Sequence, residues 1–90
     1  MNDLQRERED LIQADRHLAQ GEQRIAEQFT LIQKMTEQGY DTALARDLLR
    51  LLEETMVTWR DHRQLILDAI ARHERALAAP PQPDPGREAP

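Results

Sequence analysis

Three histidines, His17, His62 and His73, come first, because imidazole binds metals and moves protons near neutral pH. Carboxylate metal sites in helical bundles repeat Glu-x-x-His on two helices. Here the residues three positions before the histidines are Ala14, Trp59 and Ile70. The helical zinc-protease pattern His-Glu-x-x-His is absent as well. His17 and His62 stay as candidate metal ligands, with Asp15, Asp61 or a carboxylate of a second chain able to complete a set. The chain has no Ser and no Cys, which excludes serine and cysteine nucleophiles, disulfides and thiolate-held metals. Gly21, Gly39 and Gly86 form no phosphate loop. The residues therefore predict no enzyme and no cofactor.

Charge narrows the partners. The net charge is −5, charged residues make up 32% of the chain, and the two signs are interleaved. Arg46, Arg50, Arg60 and Arg63 begin a basic strip, but Asp47, Glu53, Glu54 and Asp61 interrupt it. Nucleic acid and anionic membrane both select for a basic excess on one face. Neither is an expected partner. No apolar run approaches the length of a bilayer span, and the charged start does not resemble a signal peptide. With no Cys, the expected location is the cytoplasm.

Ninety residues allow one domain, and two long helical patterns fill most of it. In 2–38, Leu4, Leu11, Leu18, Ile25 and Ile32 recur every seven residues. Three positions after each stand Glu7, Ala14, Gly21, Gln28 and Met35. This is a coiled-coil seam with small residues that admit a close neighbour. Ile12, Ala19, Ala26 and Phe29 widen the stripe. In 42–78, one heptad row is Ala45, Leu52, Trp59, Ile66 and His73, and its neighbour is Leu49, Met56, Arg63, Ile70 and Leu77. Leu44, Leu48, Leu51 and Leu65 broaden this arc beyond what one partner helix covers. Residues 79–90 hold five Pro and a Gly and read as a disordered tail.

The turn 39–41 has its own chemistry. Gly39 suits the left-handed residue after a helix end, with Met35 and Tyr40 in the positions that touch in a Schellman ending. Asp41 suits the N-cap of the second helix, accepting from the N–H of Ala43 or Leu44. Tyr40 and Ala45 then occupy the two positions of a hydrophobic staple. A tight turn makes the helices antiparallel neighbours. Counting out from it places Met35 opposite Ala45, Ile32 opposite Leu48 and Leu49, and Phe29 opposite Leu51 and Leu52. Further along, Gly21 comes opposite Trp59, His17 near His62, Ala14 opposite Ile66, and Leu4 opposite Leu77. Gly21 is then read as making room for the indole, and Arg63 as reaching an acidic residue of another helix.

Three stretches, "HLAQGEQRIAEQ" (17–28), "GYDTALARDLLRLLEET" (39–55) and "HRQLI" (62–66), carry a resemblance. They resemble a family of short uncharacterised bacterial helical-hairpin proteins with His-Leu-Ala-x-Gly-Glu, Gly-x-Asp-Thr-Ala and His-Arg motifs. The likeness covers about residues 10–70 and leaves out the tail. It implies a helical hairpin and brings no functional residues with it. It does mark His17, Gly21, Glu22, Asp41, Thr42, His62 and Arg63 for mutation.

The expected fold is all-α: an antiparallel two-helix hairpin that pairs with a second copy into a four-helix bundle. Two long helices side by side form a thin rod, each with one neighbour, and the surplus Leu residues would stay in water. The expected interface is Leu44, Leu48, Leu51, Leu52, Trp59 and Leu65. The expected function is a self-associating binding or scaffolding module. Two alternatives stand beside it: a metal- or small-ligand-binding bundle using His17 and His62, and an adaptor whose Leu-rich second helix binds a helix of another protein.

Overall fold

The computed structural model describes residues 3–79. They form two helices in contact, α1 (Asp3–Glu37) and α2 (Ala43–Ala78), of 35 and 36 residues. At about 1.5 Å per residue each is roughly 54 Å long. Ala79 is already extended, with φ −66° and ψ 137°. The rest of the expected tail, 80–90, lies outside the described residues. Among the described residues no helix is long and apolar enough to cross a membrane.

The end of α1 follows from one glycine. Gly39 has φ 78°, a conformation that costs an L-residue with a Cβ. Nothing lies within 4 Å of where its Cβ would stand, so backbone conformation and not crowding requires Gly here. With the chain turned this way, the Tyr40 N–H donates to the Met35 carbonyl at 2.9 Å and the Gly39 N–H to the Thr36 carbonyl at 3.1 Å. Those two bonds define the expected Schellman ending.

The start of α2 differs by one residue from the sequence expectation. Thr42, not Asp41, is the N-cap, and its carbonyl accepts from the Arg46 N–H at 2.9 Å. The Thr42 hydroxyl accepts from Arg46 Nε at 2.9 Å and makes no backbone cap. Asp41 still satisfies an orphan donor, accepting from the Ala43 N–H at 3.0 Å, but from the position before the cap. The shift removes the expected staple: Asp41 now precedes the cap, and Tyr40 is 63% exposed. Tyr40 closes α1 through its backbone and not its ring.

The helices pack antiparallel along the seam that the heptads mark. Leu4, Ala14, Gln28 and Ile32 of α1 and Met56, Ile66 and Ile70 of α2 are buried. Leu11, Leu18, Ile25, Met35, Ala45, Leu49, Leu52, Trp59, Arg63 and His73 are half-buried beside them. Gln28 is the one buried polar residue among those described, and its amide donates to the Ala45 carbonyl at 2.8 Å. That bond ties mid-α1 to the first turn of α2 and leaves no unpaired amide in the seam.

The pairing is shifted by about one turn from the count through the turn. Gly21 faces Met56 and not Trp59: a Cβ at Gly21 would fall on the Met56 sulfur. Leu77 is exposed, and Leu4 instead joins Ala14, Ile66 and Ile70 in one cluster with Leu11 packed against it. Phe29 is exposed and stays out of the seam. A heptad seam alternates steps of three and four residues, so a one-turn slip moves each residue to the next layer of the same seam. The buried set survives the slip and Gly21 changes partner, while Ala14 and Ile66 share a cluster as the count places them.

Gly21 and Met56 test this register. Gly21→Ala gains about 1 kcal/mol of helix propensity but forces overpacking that costs about 1–3 kcal/mol. Urea denaturation should therefore show a net loss for Gly21→Ala in the natural chain. In a Met56→Ala background the same change should stabilise by about 1 kcal/mol. Equal effects in both backgrounds would mean that the two residues do not meet.

Candidate functional site

The two edges of the α1–α2 seam differ in chemistry. One edge is clasped by ion pairs. Arg63 Nε donates to Asp15 at 2.6 Å and Arg8 to Glu74 at 3.2 Å, both between helices. Arg63 therefore does reach across from its heptad position, within the same chain. These side chains are one-third to over one-half exposed. Such pairs contribute at most about 1 kcal/mol each, and their use is to finish that edge with polar groups.

The other edge is an open groove. Three adjoining hollows of about 310, 320 and 340 Å³ follow it along the hairpin. The α1 wall is polar, running through Asp10, Gln13, His17, Gln20, Arg24 and Glu27 to Leu31. The α2 wall is Leu48, Leu52, Thr55, Trp59 and His62, with Gly21 and Met56 in the floor. Among the described residues no ion pair bridges this side.

His17 and His62 come together, but around Trp59. The His17 and Trp59 rings lie 4.4 Å apart at 51°, and His62 meets the same indole edge-on at 6.0 Å. Asp15, one expected third ligand, is held by Arg63. Among the described residues no group of three or more His, Asp or Glu stands close enough to hold a metal. His17 Nδ1 is buried with no hydrogen-bond partner among the described residues. His73 is half-buried far from this cluster, toward the open end of the hairpin.

The expected interface residues divide in two. Leu52 and Trp59 are half-buried in the groove wall. Leu44, Leu48, Leu51 and Leu65 keep 85, 47, 58 and 67% of their surface in water. At helical spacing these four lie on the groove side of α2, continuous with Leu52 and Trp59. On α1 the exposed Phe29 belongs to the heptad row of Arg8 and Asp15, on the ion-paired edge. The apolar surplus of α2 therefore adjoins the groove.

Sequence reasoning missed the Gln28–Ala45 bond and the tilted contact of His17 with Trp59. The His17–Trp59 contact follows from the one-turn register shift, and the Gln28 amide reaches Ala45 from about two turns away from the expected Met35. A polar residue at a seam position was the available signal for Gln28, and the helical distance from Gly21 was the signal for His17.

Compared with protein-family models, curated proteins and solved structures, the chain matches none. The site must be read from its own residues.

His17→Ala tests the aromatic cluster. Far-UV circular dichroism should stay near that of the natural chain, because Ala is a better helix former than His. The near-UV signal of Trp59, the only indole in the chain, should fall. An unchanged near-UV spectrum would show that the rings do not pack.

Proposed function

We propose that this protein is a small self-associating helical module, active in the cytoplasm as a binding or scaffolding element. The observation that carries the proposal is the row Leu44, Leu48, Leu51 and Leu65, exposed beside the open groove while the opposite edge is closed by ion pairs. Isolated exposed apolar residues are ordinary, but a row continuous with a groove marks an interaction surface. The need for a partner is also physical. Six buried apolar residues serve two helices of 35 and 36 residues, a thin core for so long a rod.

A second copy is the partner we favour, forming a four-helix bundle, because closed two-fold association is the commonest way a chain covers its own apolar face. An adaptor that presents this face to another protein's helix would use the same leucines.

Sedimentation equilibrium over a range of concentrations is the test. The natural chain should fit a reversible dimer, and Leu51→Glu with Leu65→Glu should fit a monomer of lower helicity. Each Leu contributes about 1.5–3 kcal/mol when fully covered, so two per protomer suffice to dissociate the pair. A helical monomer for the natural chain at high micromolar concentration would overturn the proposal.

A further inference from the structure

Building on the self-association reading, we infer that the second copy docks on the groove face about a two-fold axis perpendicular to the helices. The axis passes Thr55 on α2 and, on α1, a point midway between Gln20 and Arg24 of the groove wall. In this arrangement α2 lies antiparallel to its own copy, and α1 does likewise.

Two independent rows locate the axis. The first is apolar and lies on α2. Leu44, Leu48, Leu51, Thr55, Thr58, His62 and Leu65 are spaced alternately by four and three residues, the spacing of a seam. Read against itself in reverse, this row is self-complementary about Thr55. Leu44 meets the partner's Leu65, Leu48 the partner's His62, and Leu51 the partner's Thr58. Isologous interfaces require this kind of self-matching. On the flank nearest the groove, Leu52 meets the partner's Trp59, so both indoles lose their open face.

The second row is charged and lies on the α1 wall of the groove. Asp10, His17 and Arg24 alternate there with Gln13, Gln20 and Glu27, and Lys34 stands one heptad beyond Glu27. Read against itself in reverse about the midpoint of Gln20 and Arg24, Asp10 meets the partner's Lys34 and His17 meets the partner's Glu27. Gln20 meets the partner's Arg24, and Gln13 the partner's Leu31. No like charges oppose one another along this stretch.

The two centres belong to different helices, and the hairpin brings them to one level. Gly21 touches Met56 across the seam, which sets the midpoint between Gln20 and Arg24 level with Thr55. One axis therefore satisfies the leucines of α2 and the charges of α1 together. The ion-paired edge, with Phe29 and Val57, faces away from the partner and stays in water. On the solvated outer flank of α2, Asp47 meets the partner's Asp61 and Glu54 meets its own copy. Salt screens such exposed contacts, and they make Glu54 a useful probe.

Cysteine cross-linking in this cysteine-free chain tests the geometry. Thr55→Cys, on the axis, should form a disulfide-linked dimer under mild oxidation, while Val57→Cys, on the opposite edge, should not. A charge swap reads the second row: Lys34→Asp should weaken the dimer about two- to fivefold, and Lys34→Asp with Asp10→Lys should recover it. Glu54→Gln should tighten it by a similar factor. Sedimentation of the reduced variants separates the outcomes. A dimer whose Thr55→Cys form does not cross-link, or whose Val57→Cys form cross-links equally fast, overturns this axis and leaves self-association standing. A dimer in which the charge swap brings no recovery overturns the α1 pairing. A monomeric natural chain overturns both readings.

Discussion

Met56 lies where Gly21 has no side chain, and the rest of the hairpin follows from that contact. A side chain at position 21 would hold the helices apart or slide one along the other. With only hydrogen there, the helices approach, and the layers on either side fall into place. His17 comes against Trp59, Asp15 against Arg63, and Ala14 into the cluster with Ile66 and Ile70. The helix-propensity cost of a mid-helix Gly, about 1 kcal/mol, is offset by the burial of Met56, which is only 2% exposed.

Much of this was legible in the sequence, and the reason is periodicity. Leu4, Leu11, Leu18, Ile25 and Ile32 name the seam of α1 without any coordinates, and each is buried or half-buried. Gly39 names the end of α1 in the same way, since few other residues take its conformation without strain. The α2 seam is as clear, with Leu77 the exception, exposed near the fraying end.

What could not be read is the register. The count through the turn put Gly21 opposite Trp59, and a slip of one turn keeps every buried residue buried. Sequence alone cannot separate two registers that share one seam. Contacts that depend on the pairing were therefore misplaced: the Gly21–Trp59 and Leu4–Leu77 pairs. Side-chain detail decided the rest. Thr42 takes the cap because its carbonyl opens α2, while Asp41 reaches the Ala43 N–H from one residue earlier. The groove residues could be nominated from their excess of Leu, but which side of the hairpin they share depended on the finished packing.

The two edges of the seam then give the molecule its direction. Ion pairs finish one edge, and exposed leucines beside an indole line the other, which stays open. The central claim is that this face is covered by a second copy. Isotope-filtered NMR on a mixture of carbon-13-labelled and unlabelled chains tests it most directly, because it detects contacts between copies only. The account predicts intermolecular contacts from the methyl groups of Leu44 to those of Leu65. Intermolecular contacts confined to Phe29, Ile12 or Val57, or none from the α2 leucines at concentrations where the chain is helical, would contradict it.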